Sequence, residues 1–276
     1  MSNSVSVARP SVAILGVGAM GEALLRGLLA AGWVPGDISL AVRRRERGDQ
    51  LVESSGCFVS LDVVEASRDK RVLVVAAKPR DVTRLLDALA PAVSGDQVVV
   101  SVAAGVPIRS LERHLSGAAV IRAMPNTPAL VGEGITGMAA GTYAATEARA
   151  AARAVLEAVG GVRDMDESLM DAVTAISGTG PAYVFLLAEA LTEAAVREGI
   201  PREIAEDLVH QTVRGAGHLL TDTDKGPFDL RAQVTSPGGT TAAAVHILEE
   251  RGFRALLEDA VRAAAERSRQ LGELAP

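Results

Sequence analysis

Val12-Ala13-Ile14-Leu15-Gly16-Val17-Gly18-Ala19-Met20-Gly21 sets four apolar residues directly before a Gly-x-Gly-x-x-Gly hexapeptide. The short apolar run reads as a strand buried on both faces, and residues 22–31 have the length and spacing of a helix. In that setting each glycine has a job. The first permits the tight turn, the second lets a pyrophosphate approach the backbone, and the third lets helix and strand pack closely. The N-terminus of the helix offers free N–H groups and a positive dipole end to the phosphates. A bare tight turn is the alternative, and the hexapeptide alone does not exclude it. Its place at the first strand of an alternating pattern points to a dinucleotide.

Working outward, short runs rich in branched aliphatics recur at 38–42, 72–76, 98–102 and 120–122, separated by segments of helix length. That is the rhythm of a parallel sheet with right-handed crossovers. Beyond Asp164 the strand-like runs stop and apolar spacing becomes three and four. Leu187, Leu191 and Ala194 share one helix face, with Glu193 four residues before Arg197. Leu257, Val261, Ala264, Ser268 and Leu271 repeat the pattern, with Glu258 four before Arg262. The expected architecture is α/β. A Rossmann-type parallel-sheet domain, residues 1–165, is followed by an all-α substrate-binding and dimerisation domain, residues 166–276. No linker separates them, so the boundary rests on the change of period.

The end of the second strand discriminates between dinucleotides. An NAD enzyme places Asp or Glu there to accept from the ribose 2′-hydroxyl, whereas this chain reads Leu40-Ala41-Val42-Arg43-Arg44-Arg45. Arg43 or Arg44 can pair bidentately with a 2′-phosphate, which favours NADPH and leaves NADH as the second choice. The competing reading is a solvated basic loop neutralised by Glu46 and Asp49. Ala76-Ala77-Lys78-Pro79 and Val102-Ala103-Ala104-Gly105 fall after the third and fourth expected strands, where the carboxyl ends of parallel strands meet a ligand. Arg122-Ala123-Met124-Pro125-Asn126-Thr127-Pro128 is a loop stiffened by two prolines, fit for a fixed wall beside the nicotinamide.

Two donor-rich elbows follow. Ser177-Gly178-Thr179-Gly180-Pro181-Ala182-Tyr183 reads as the end of one helix and the start of another, with Pro181 at the first helical position. Val234-Thr235-Ser236-Pro237-Gly238-Gly239-Thr240-Thr241 repeats the design before a helix over 242–250. Free N–H groups at such starts can hold a small carboxylate; a simple helix break is the alternative.

The 276 residues, 48% hydrophobic and 3% aromatic, exceed one ordinary core. With 28 Lys+Arg against 34 Asp+Glu the formal charge is -6, so the chain lacks the basic surplus of a nucleic-acid binder. The single cysteine, Cys57, and the four scattered histidines show no disulfide or metal-ligand spacing. The start carries no leader pattern, and the longest charge-free stretches are broken by Gly and Pro, against membrane spans. A soluble cytoplasmic protein without a metal is expected.

These motifs, in this order and spacing, resemble the pyrroline-5-carboxylate reductase family over nearly the whole chain. The resemblance implies hydride transfer from NAD(P)H to the imine carbon of 1-pyrroline-5-carboxylate, the last step of proline biosynthesis. It also implies a homodimer through the helical domain, in some members a pentamer of dimers. Carried over by position, Gly16, Val17, Gly18, Ala19, Met20 and Gly21 hold the pyrophosphate. Arg43 lies at the adenosine ribose or its phosphate. Ala76, Ala77, Lys78, Pro79, Val102, Ala103 and Ala104 line the nicotinamide half. Ser236, Pro237, Gly238, Gly239, Thr240 and Thr241 match the loop whose N–H groups grip the substrate carboxylate. The Thr241 hydroxyl is placed near the ring nitrogen, and Glu167 matches an acidic position at the start of the helical domain. The chain departs from the family pattern at Val63 and Gln233, where relatives carry Asn.

A protonated cyclic imine is already a good hydride acceptor, so the site has mainly to orient two reactants. That agrees with the lack of a Ser/His or His/Asp constellation. Thr241 is the candidate catalytic residue; a helix N-cap is its alternative role. The nearest rival, a β-hydroxyacid dehydrogenase, uses a lysine on a helix of its second domain. Here the only lysine beyond residue 78 is Lys225. A non-catalytic NADP(H) sensor would have no use for carboxylate-gripping elbows.

Overall fold

The structure, a computed structural model, describes residues 9–273. The segment read as lacking a leader falls largely outside them. In chain order the elements are β1 Val12–Leu15, α1 Ala19–Ala30, β2 Ile38–Ala41, α2 Arg45–Ser55, β3 Phe58–Ser60, α3 Val63–Ser67 and β4 Val72–Val75. There follow α4 Pro79–Leu89, β5 Val98–Ser101, α5 Ile108–His114, β6 Ala119–Met124, β7 Gly134–Ala140, α6 Thr146–Glu157 and β8 Gly160–Asp164. The rest is helical: α7 Met170–Val173, α8 Gly180–Arg197, α9 Arg202–Asp222, α10 Pro227–Gln233, α11 Thr240–Glu250 and α12 Phe253–Glu273.

The strands form one eight-stranded sheet in the order β3-β2-β1-β4-β5-β6-β7-β8. β1 to β6 are parallel, and every residue of β1, β2, β4 and β5 is buried. The alternation inside each strand explains why. Val12 and Ile14 face a core shared with Leu24 and Leu28 of α1 and Leu156 of α6. Ala13 and Leu15 face the other, shared with Leu86 of α4 and Leu111 of α5. Covered on both sides, a strand needs apolar residues at every position. Full burial of a side chain such as Ile14 or Leu15 stabilises the fold by about 1.5–3 kcal/mol.

Three strands lie outside the expected set. β3 is a short edge with an exposed Phe58, and β7 and β8, Gly134-Ile135-Thr136-Gly137-Met138-Ala139-Ala140 and Gly160-Gly161-Val162-Arg163-Asp164, carry few branched aliphatics. Their pairing comes from neighbours rather than from propensity. β7 runs antiparallel to β6, and β8 parallel to β7, so the last two strands reverse the sheet's direction. The cause is connection length. Only residues 125–133 join β6 to β7, too few for the crossover that a parallel return requires.

By packing the chain forms two compact units. One runs to Thr179 and takes in the chain from Ala264 onward; the other is Gly180–Ala263. Residues 166–179, helical in their sequence pattern, pack with the sheet. Within the helical unit Glu193 pairs with Arg202 at 2.8 Å rather than with Arg197, and Arg262 with Asp259 at 2.9 Å rather than with Glu258. Positions three apart on a helix are as close as positions four apart, so the charge pattern alone does not select the partner. No helix of the described residues is long and apolar enough to cross a membrane.

Candidate functional site

The strand order reverses between β1 and β4, and the carboxyl ends of these strands with β5 carry the sequence-expected loops together. Gly16 has φ +99°, and a side chain there would meet Ala76 O at 3.1 Å, so the turn after β1 lies directly against the turn after β4. Val102 N donates to Val75 O at 3.1 Å, which brings the loop after β5 alongside. The glycines divide the work as their order suggests. A Cβ on Gly21 would stand 2.6 Å from Gly16 O, whereas a Cβ on Gly18 would meet nothing within 4 Å. Packing therefore accounts for Gly16 and Gly21. At Gly18 the backbone faces open space, the room a pyrophosphate would fill.

α1 starts at Ala19, three residues earlier than its pattern suggested, with Gly18 as N-cap and no side-chain cap. Glu22 N is the first to reach back, to Gly18 O at 2.8 Å, so the N–H groups of Ala19, Met20 and Gly21 have no partner among the described residues. They form an anion seat at the positive end of a twelve-residue helix. Behind it Glu22 pairs with Arg26 and Arg47, joining α1 to α2. Burial works to raise the Glu22 carboxyl, and the Arg47 and Arg26 guanidinium groups more than offset it, holding it below the usual carboxylate range.

Arg43 and Arg44 follow β2 and are exposed. Arg44 makes no ion pair among the described residues, while Arg43 Nη1 lies 3.2 Å from Asp81 Oδ2. β2 itself ends without a carboxylate, as read, yet the first turn of α4 supplies one to the same place. Lys78 caps α4 and is exposed; Ala76 and Ala77 are half-buried, and Ala103 is buried.

Ser236–Thr241 lies in the helical unit. Gly239 N donates to Ser236 O at 3.0 Å, and Gly238 has φ +71° behind Pro237, the pattern of a type II turn. α11 begins at Thr240 with Gly239 as N-cap, which corrects the later start expected for it and rules out Thr241 as the cap. The N–H groups of Thr240, Thr241 and Ala242, and the half-buried Thr241 hydroxyl, make no hydrogen bond among the described residues. The other elbow is different. Thr174–Gly178 forms a π-type turn, and both Thr179 N, at 2.8 Å, and Thr179 Oγ1, at 3.0 Å, bond to Thr174 O. The widened turn satisfies donors that the sequence suggested would be free, and Pro181 is the second residue of α8 rather than the first.

Glu167 belongs to the sheet unit. Its Oε1 accepts from Ile108 N at 2.6 Å and from Arg122 Nη1 at 3.1 Å. Arg122, with only 7% of its side chain exposed, also faces Asp171 at 3.7 Å, and Ser268 Oγ of α12 donates to Asp171 at 2.6 Å. Sequence reading missed this network and Asp81. An acidic residue early in a helix was a visible signal for Asp81, but nothing in the sequence brings it to Arg43, 38 residues away. Among the described residues no cluster of His, Cys, Asp or Glu can hold a metal ion.

A family model described as pyrroline-5-carboxylate reductase dimerisation matches residues 167–271, and one described as NADP oxidoreductase, coenzyme F420-dependent, matches residues 11–105. A pyrroline-5-carboxylate reductase of Synechocystis is 43% identical over 261 residues, 94% of this chain and 97% of its own. The chain belongs to the pyrroline-5-carboxylate reductase family. Solved structures agree. That of the Coxiella burnetii pyrroline-5-carboxylate reductase superposes with a TM-score of 0.90 at 34% identity, covering 95% of this chain and 98% of its own. That of the Plasmodium falciparum pyrroline carboxylate reductase with NADP bound gives 0.85 at 29%, with the same coverage. The family membership spans both the Gly16–Gly21 turn and the Ser236–Thr241 turn, so neither is an isolated motif match.

Proposed function

We propose that this family member reduces 1-pyrroline-5-carboxylate to L-proline with NADPH, accepting NADH less well, as the last step of proline biosynthesis. What carries the reading is likeness over the whole length, because it takes in the dinucleotide unit and the helical unit together. The glycine turn fits the cofactor: Gly18 leaves room, and the N–H groups of Ala19, Met20 and Gly21 face the diphosphate. Arg43 and Arg44 take the 2′-phosphate, and Ala76–Pro79 with Val102–Ala104 line the nicotinamide half. When bound, the cofactor supplies a hydride.

The chain's own residues then have two tasks. The N–H groups of Thr240, Thr241 and Ala242 hold the substrate carboxylate at the positive end of α11, within the turn of Ser236, Pro237, Gly238 and Gly239. The Thr241 hydroxyl hydrogen-bonds the ring nitrogen and keeps its proton in place. Glu167 supports the substrate side indirectly, by holding Arg122 and the start of α5. The dehydrogenase alternative loses ground, since Lys225 is exposed between α9 and α10 and not on a helix.

A homodimer through the helical unit, assembled further into a pentamer of dimers, is part of the same reading, as is a cytoplasmic setting in which the buried Cys57 stays a thiol. The assay is direct. Purified protein should oxidise NADPH only when 1-pyrroline-5-carboxylate is supplied, with proline formed in equal amount. Turnover of a hydroxyacid or another imine, with none of this substrate, would overturn the assignment.

A further inference from the structure

We propose that Asp81 sets how strongly NADPH is preferred, by competing with the 2′-phosphate for Arg43; this rests on the reading above that Arg43 meets that phosphate. β2 and β4 flank β1 in the sheet, so an ion pair between the loop after β2 and the first turn of α4 joins the two sides of the dinucleotide crevice. An acidic residue in the first turn is favoured by the positive end of α4, which keeps Asp81 in place. The pair is nevertheless weak in its setting, because 79% of the Arg43 side chain is exposed and screened by water. A phosphate, with greater charge and a bidentate geometry, displaces the carboxylate from the guanidinium. It must do so against the like charge of Asp81, which stays behind on α4.

For NADH the balance reverses. A ribose 2′-hydroxyl donates to a carboxylate, which is what NAD enzymes use an acidic residue for at the end of the second strand. Here that strand end is basic, and tertiary structure returns a carboxylate to it from 38 residues away. Arginine and aspartate side by side make a site that takes both dinucleotides, with Asp81 as the brake on selectivity.

Dissociation constants of NADPH and NADH, measured by calorimetry on the full chain, test this. Asp81→Asn should tighten NADPH about two- to fivefold, the scale of one exposed ion pair, and leave NADH unchanged or weaker. Asp81→Glu should stay near the parent protein, since it keeps the charge. In an Arg43→Ala background the Asp81→Asn gain for NADPH should shrink, because no guanidinium is left to release. Arg43→Ala should itself weaken NADPH more than NADH. Equal losses there would overturn the placing of the phosphate. A selective loss there, with no change in the NADPH to NADH ratio for Asp81→Asn, would overturn the role of Asp81 alone. Circular dichroism melts confirm that each variant is folded.

Discussion

Gly18 and Gly21 sit three residues apart in the same turn, and the structure gives them opposite sensitivities. Gly21→Ala would drive a methyl to within 2.6 Å of a backbone oxygen, so the turn must open; we expect a loss of about 2 kcal/mol in urea unfolding together with loss of NADPH binding. Gly18 has φ −86°, ordinary for any residue, and free space beside it. Gly18→Ala should unfold at the parent's urea concentration or slightly above it, yet bind NADPH at least about tenfold more weakly, as titration calorimetry would show. The hexapeptide was legible from sequence, including which glycine serves the ligand. Glu22 was not, since its arginine partner Arg47 comes from another helix. Its carboxyl is held low in the fold, so its stabilising effect is complete above the ordinary carboxylate range and disappears as pH falls through the depressed value. Glu22→Gln should cost about 1 kcal/mol at pH 7, and parent and variant should converge near pH 3.

Arg122 shows what an element needs beyond its pattern. It occupies β6 among Ala119, Val120, Ile121 and Ala123, where burial would favour an aliphatic residue, and it is tolerated because Glu167 and Asp171 meet it. Through them the strand is tied to the start of α5 and, by Ser268, to the end of α12. Arg122→Ala leaves both carboxylates without their cation and should cost about 3 kcal/mol, read from a shifted denaturation midpoint. α11 carries a different kind of information. Its start at Thr240 moves the Thr241 hydroxyl off the cap position and leaves it free for a ligand. Thr241→Ala should therefore lower kcat by about tenfold or more with an unchanged melting temperature, while Thr241→Ser should recover most of the rate. A fall in stability with no change in rate would return the residue to a structural role. The sequence marked this turn by its Pro-Gly-Gly pattern. It marked the Ser177–Tyr183 segment equally, and there a π-type turn consumed the donors.

At the scale of the molecule, the two units bury their apolar residues very differently. The sheet holds two dense cores, whereas among Gly180–Ala263 only Thr192, Ala205 and Val209 are buried. Phe185, Leu186 and Phe228 are each at least 65% exposed, and the Leu187 and Leu191 stripe read from sequence is uncovered. So much exposed apolar surface on a helical unit calls for a partner, in keeping with the dimerisation model that matches these helices. The melting temperature should then rise with protein concentration, and Phe185→Glu should lower both it and the mass seen by sedimentation. A concentration-independent melt of a monomer would refute the dimer. The sequence by itself determined the alternation of strand and helix, the dinucleotide turn and the all-helical second half, because each is written in local spacing of apolar and glycine residues. Tertiary structure alone decided the reversal of β7 and β8, the Arg122 network and the meeting of Arg43 with Asp81. Those depend on connection length and on charges brought together from distant segments, and local spacing carries no record of either.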